Sequence, residues 1–195
     1  MTQLQASQLE RRLFLKVLGG SVPATILLDA STALAADKKR VVRIVQFDPS
    51  GIRTGVIEVE KIDKPVAEWK KQLTAEQFEI TRRAGTERPF TGKYAENHDD
   101  GLYLCVCCNT VLFDSKTKFE SGTGWPSFWA PIAKENVAGR ADNSLGMERD
   151  EVLCRRCDAH LGHVFDDGPP PTHLRYCMNS AALNFVARGK APSGL

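Results

Sequence analysis

The chain has 195 residues, six cysteines and a formal net charge of +2. That length suits one domain with its own core. The near-balanced charge argues against a nucleic-acid binder, which needs a concentrated basic face, and no low-complexity tract or internal repeat interrupts the chain.

Residues 1–35 read as an export signal of the twin-arginine type. Glu10-Arg11-Arg12-Leu13-Phe14-Leu15-Lys16 supplies the arginine pair, an apolar run follows over 17–28, and Ala33-Leu34-Ala35 offers a small-residue cleavage site. The run is too short for a permanent span, which takes about 20 apolar residues. Gly19, Gly20 and Pro23 weaken it as a surface helix. The expected destination is the bacterial periplasm, with no stable membrane insertion after cleavage. That compartment is oxidising, so its cysteines are expected to be paired, metal-bound or reactive.

Residues 36–65 read as an extension built on a β-hairpin. Segments 41–47 and 54–60 are rich in Val and Ile, and Asp48-Pro49-Ser50-Gly51 between them is turn chemistry. Pro65 then opens a short helix from Val66 to about residue 71, with Trp69 placed for packing. Thr74 caps a second helix. Gln77 three residues later completes a capping box, and Leu73 with Phe78 occupies the two staple positions. Gly85 is the expected stop. From Pro89 onward Gly, Pro, Asn and Asp recur about every 8–12 residues, the pattern of an antiparallel β body rather than a βαβ fold.

Cys105-x-x-Cys108 and Cys154-x-x-Cys157 can each present two thiolates from one tight turn. Two such turns facing each other make a four-sulfur cage, the geometry of structural zinc, with no open position for catalysis. Asn109 and Asp158 follow the second cysteine of each pair and suit knuckle-like turns. Two disulfides, two redox-active pairs, or iron in the same cage are the competing readings. Cys107 lies between two ligands and reads as a packed or half-exposed thiol.

One cysteine stands apart, in Arg175-Tyr176-Cys177-Met178-Asn179-Ser180. In an extended segment residues two apart share a face. Arg175, Cys177 and Asn179 would then project together, and a neighbouring cation lowers a thiol's pKa. On this hexapeptide alone a buried structural cysteine is the commoner reading.

Taken together, the blocks Gly85-Thr86-Glu87-Arg88-Pro89-Phe90-Thr91-Gly92, the first cysteine pair, Ser121-Gly122-Thr123-Gly124-Trp125-Pro126-Ser127-Phe128, residues 154–165 and residues 175–180 resemble the B-type methionine sulfoxide reductases. The resemblance runs from about Trp69 to Val186 and assigns 66–190 to that domain. It implies a mainly β fold of two antiparallel β-sheets with short N-terminal helices, pinned by a four-cysteine zinc site of Cys105, Cys108, Cys154 and Cys157. It implies methionine-R-sulfoxide as substrate, free or in oxidised proteins, and it makes Cys177 the nucleophile. His163 becomes the acid, His160 and Asn179 hold the oxygen, and Arg175 favours the thiolate. Trp125 walls the methyl pocket, Phe165 adds to the substrate side, and Asp167 orients a histidine or the arginine. Without the resemblance, the commoner readings are His160 and His163 as zinc-site neighbours, Trp125 as core and Asn179 as a turn cap.

One departure matters. Many members of that family carry a resolving cysteine where this chain has Thr123. Regeneration is therefore expected from a thioredoxin-like partner or a small thiol, with Cys107 the only relocated alternative. A monomer is expected. The competing functions are a zinc-ribbon binding module without catalysis and a general thiol–disulfide oxidoreductase.

Overall fold

The computed structural model describes residues 40–142 and 149–190; the expected export signal lies outside them. β1 (Val41–Phe47) and β2 (Arg53–Glu60) pair antiparallel as one hairpin. Asp48 builds its turn. The Oδ1 atom accepts from the Ser50 amide, the Ser50 hydroxyl and the Ile52 amide at 2.9, 2.7 and 2.9 Å. Gly51 takes φ +81°, a conformation that carries no steric penalty only in glycine.

The hairpin buries Ile44, Val45 and Phe47. Val45 and Phe47 join Leu102, Leu104 and Val111 in a second, smaller core. Asn136, fully buried, locks this contact. Its Oδ1 accepts from the Val45 amide at 2.7 Å, and its Nδ2 donates to the carbonyls of Val45 and Val111 at 3.0 and 2.7 Å. Truncation would strand three backbone groups away from water. Asn136→Ala is expected to cost about 3 kcal/mol, read as a lower urea midpoint at unchanged slope.

Two short helices follow, α1 (Val66–Gln72) and α2 (Ala75–Arg83). The capping box is complete: the Gln77 amide donates to Thr74 Oγ1 at 3.2 Å and the Thr74 amide to Gln77 Oε1 at 3.0 Å. Leu73 and Phe78 are both buried, as a staple requires. The helix stop differs from expectation. Ala84, not Gly85, takes the left-handed turn, at φ 53°. The glycine serves close approach instead, because a Cβ there would sit 3.0 Å from the Glu79 carbonyl, which accepts the Gly85 amide at 3.1 Å.

The rest is antiparallel β. In chain order the strands are β3 (Gly101–Cys105), β4 (Val111–Asp114), β5 (Lys118–Phe119), β6 (Ser127–Phe128), β7 (Val137–Asp142), β8 (Arg149–Cys154), β9 (His160–Phe165), β10 (Arg175–Met178) and β11 (Leu183–Ala187). One sheet runs β5-β6-β10-β9-β8-β7 and the other β11-β3-β4. The body thus has the two antiparallel sheets expected, and the hairpin adds a third, two-stranded one. Buried aromatic rings join the two larger sheets. Phe128 of β6 stacks on Phe113 of β4 at 4.4 Å and meets Tyr103 of β3 edge-on at 5.0 Å. Among the described residues no helix is long and apolar enough to cross a membrane.

Candidate active site and metal cluster

Cys105 ends β3 and Cys154 ends β8, so the two cysteine turns leave different sheets. All four sulfurs are buried and lie within 4.8 Å of one another. The turns are the knuckle type anticipated. Asn109 and Asp158 adopt left-handed φ of 59° and 53°, and their amides donate to the carbonyls of Cys105 and Cys154 at 2.8 and 3.0 Å.

Close sulfur contacts run between the turns, Cys105 to Cys157 at 3.7 Å and Cys108 to Cys154 at 3.5 Å. A tetrahedral ion with metal–sulfur bonds of about 2.3 Å needs sulfurs about 3.8 Å apart. The cluster therefore fits one ion shared by both turns. Arg82 braces it, donating to the Cys157 carbonyl at 2.8 Å and approaching the Cys157 sulfur at 3.9 Å, with its guanidinium 4.5 Å above the Trp69 ring. Cys107 is buried and stands outside the set of four.

Cys177 sits on β10, between β6 and β9. Its direct partners are Ser127 and His163. Further along the same row Glu151 of β8 opposes His163, and Arg140 of β7 opposes Glu151. Directly opposed residues project to one side of a sheet. Arg140, Glu151, His163, Cys177 and Ser127 thus share a face.

A cavity of about 200 Å³ opens there, lined by Thr86, Trp125, Gly162, His163, Phe165, Cys177, Met178 and Asn179. Of the residues singled out in the sequence, Cys177, His163, Asn179, Trp125 and Phe165 come together on it. Its polar partners are specific. The Trp125 indole N–H donates to the Glu87 carbonyl at 3.1 Å. His163 pairs through Nε2 with Asp142 at 2.9 Å. Asn179 is buried with its amide mostly engaged: Oδ1 accepts from the Glu87 amide at 3.0 Å and Nδ2 donates to the Leu161 carbonyl at 3.2 Å. An amide nitrogen carries two hydrogens, so one remains for the cavity.

His160, Arg175 and Asp167 are not among the lining residues. His160 lies behind His163, the rings 5.4 Å apart and edge to face. Its Nδ1 meets Glu151 at 2.7 Å, and Glu151 also takes Arg140 at 2.6 Å. Burial lowers the pKa of His160 against the pull of Glu151 and favours the neutral ring. Arg175 is clamped by Asp167 through two bonds of 2.8 Å and lies 4.4 Å over the Phe165 ring. Asp167 orients the arginine, not a histidine.

The expectation that Arg175 favours the thiolate holds only in direction. It does pull the Cys177 thiol down, as do Thr123 and Ser127, yet burial outweighs all three and leaves the pKa raised above its ordinary value. The thiol is thus the dominant resting form at neutral pH. Alkylation of Cys177 by iodoacetamide is expected to be slow at pH 7 and to climb past about pH 9, whereas an ordinary exposed thiol levels off near that point. Peptide mass spectrometry across a pH series measures it.

Three positioning groups were not anticipated, Glu87, Asp142 and Glu151, nor was Thr86 as a lining residue. Glu87 is the most connected. Besides its ties to Trp125 and Asn179, its buried carboxylate accepts the amides of Ser180 and Ala181 at 2.6 and 2.9 Å. A glutamate in a loop block beside Arg88-Pro89, with no helix face to solvate it, was the available signal.

The SelR-domain family model matches residues 73–187, which include every residue of the cavity and the cluster. The chain belongs to the SelR family. Relatives named peptide methionine sulfoxide reductase MsrB are similar to it. The one from Pseudomonas fluorescens (strain Pf0-1) is 58% identical over 130 residues, covering 67% of this chain and 99% of the relative. Those from Hahella chejuensis and Herminiimonas arsenicoxydans are 57% and 56% identical over 127 and 128 residues, covering 65% and 66% of this chain and 91% and 93% of their own lengths. The SelR match begins after α1, so the hairpin locked by Asn136 precedes it.

Proposed function

We propose that this SelR protein reduces the R epimer of methionine sulfoxide, free or in oxidised proteins, to methionine. The observation that carries the reading is a part-exposed Cys177 on a cavity walled by Trp125, Phe165 and His163, in a chain similar to proteins named peptide methionine sulfoxide reductase MsrB. The Cys177 thiolate attacks the sulfoxide sulfur while His163 gives the sulfoxide oxygen a proton. The substrate's S–O bond breaks and its oxygen passes to the Cys177 sulfur. Methionine leaves, reduced by two electrons, and Cys177 remains as a sulfenic acid.

Thr123 offers no thiol to close a disulfide. An outside thiol, from a thioredoxin-like protein or a small molecule, attacks the sulfenic acid and expels water. A second thiol then frees Cys177. Cys105, Cys108, Cys154 and Cys157 would hold zinc, which supplies a structural cross-link and has no open position for substrate. The paired arginines and small-residue exit of residues 1–35 support action in the periplasm after export and cleavage.

The test is turnover of the separate R and S epimers, with mass spectrometry of the enzyme after one cycle without reductant. Loss of the R epimer alone, with one oxygen gained at Cys177, is expected. Activity on S alone overturns the reading. A Cys107–Cys177 disulfide overturns direct reduction.

A further inference from the structure

The loop before β6 and the first residue of β6 link three hydroxyls in a chain that leads to the Cys177 sulfur. Thr123 Oγ1 stands 3.9 Å from Sγ, Ser121 Oγ is 2.8 Å from Thr123 Oγ1, and Ser127 Oγ is 2.7 Å from Ser121 Oγ. The chain ends on the Trp125 carbonyl, which Ser127 Oγ reaches at 3.2 Å. Ser127 is fully buried, and besides these two partners its hydroxyl also bears on the Cys177 thiol, favouring the thiolate.

Proton counting along this chain allows two arrangements. Each hydroxyl has one hydrogen to give and free lone pairs to receive with, and its hydrogen turns about the C–O bond. With Cys177 as a thiol, S–H donates to Thr123, Thr123 to Ser121, Ser121 to Ser127, and Ser127 to the carbonyl. With Cys177 as a thiolate, every hydroxyl turns the other way: Ser127 donates to Ser121, Ser121 to Thr123, and Thr123 to the sulfur. No proton changes oxygen in this reversal. The thiol proton leaves to solvent, and the chain only rotates. Aligned hydroxyls polarise one another, and a donor aimed at an anion is worth more than one aimed at a neutral atom.

We propose that Thr123 is a catalytic residue that touches the reacting sulfur, and that Ser121 and Ser127 position it through a hydrogen-bond chain whose direction reverses when Cys177 ionises. The role rests on the reading of Cys177 as nucleophile. It accounts for a hydroxyl at the place where a resolving thiol would otherwise stand. The chain stabilises the attacking thiolate in a pocket where burial opposes it.

The charged groups around Cys177 are few. Arg175 on its own strand is tied to Asp167, His163 faces it from β9 and is tied to Asp142, and Glu87 behind Trp125 is tied to two amides. The loop and β6, residues 121–128, contain no titratable side chain. Hydroxyls alone act from that side.

The test uses the full chain and reads alkylation of Cys177 by iodoacetamide against pH, so it does not depend on sulfoxide turnover. Thr123→Val keeps the shape and removes the hydroxyl. Its profile is expected to move to higher pH, with alkylation at pH 7 about tenfold slower, the loss of one charge-directed hydrogen bond. Thr123→Ser is expected to restore the wild-type profile. Ser121→Ala, which leaves Thr123 in place but unsupported, should fall between. Circular dichroism checks that each variant is folded. Profiles of Thr123→Val and Ser121→Ala that superimpose on wild type overturn the proposal, whatever the enzyme does with sulfoxides. Loss of R-sulfoxide turnover in the wild type would instead count against the reductase reading alone.

Discussion

Cys177→Ser is expected to lower sulfoxide reduction by about ten-thousand-fold or more, the scale seen when a nucleophile is removed. Serine keeps the volume and the hydrogen bonding of the position, so the neighbours Ser127, His163 and Thr123 keep their partners. What it lacks is the sulfur. An alkoxide is not available near neutral pH, and an oxygen cannot accept the substrate's oxygen to give a sulfenic acid. Stability should change by under about 1 kcal/mol, and metal content should not change. That separation of activity from folding is the informative part, since a binding module without catalysis would show neither loss. Turnover that persists in Cys177→Ser, or in protein capped at Cys177 with iodoacetamide, would remove the mechanism.

Breaking the four-cysteine cage should have the largest effect on stability. Cys154→Ser is expected to cost on the order of 5 kcal/mol or more, because metal affinity is folding free energy when the site forms only in the folded chain. The structural reason is where the cage sits. Its four residues belong to the main core, buried together with Trp69, Tyr103 and Phe128. The turn holding Cys157 also leads straight into β9, the strand that carries His163. Loss of the ion therefore loosens the start of that strand as well as the join between sheets. Metal analysis should fall from about one ion per chain to near none, the urea midpoint should drop, and reductase activity should fall with both. A Cys154→Ser protein with wild-type melting and activity would show that the cluster is dispensable.

How much could be read in advance follows the range of each interaction. Thr74, Gln77, Leu73 and Phe78 act within one helical turn, and the capping box formed as read. Asp48 and Gly51 set the hairpin turn for the same reason. The cysteine spacing carried further, because two tight turns of identical design have a common purpose. Ala84 escaped notice since the left-handed position was assigned to the glycine beside it, and an alanine there gives no signal of its own. The site was least legible. Nothing in residues 175–180 separates a nucleophile from a packed thiol, and the resemblance to a family supplied the distinction. Glu151, Asp142 and Glu87 were missed because strand register and loop crossing bring them in. Asn179 was assigned to the substrate, whereas most of its amide ties two backbone segments together.

The burial of the cysteines has a consequence for how the molecule ages. Five of the six are sealed from water, and only Cys177 is partly open. Among these thiols, an oxidant strong enough to damage methionine elsewhere meets one first, that of Cys177. There the first product is a sulfenic acid, the same species that the proposed cycle makes and discharges. Injury and normal work thus converge on one recoverable state, and the thiols whose loss would unravel the chain stay out of reach.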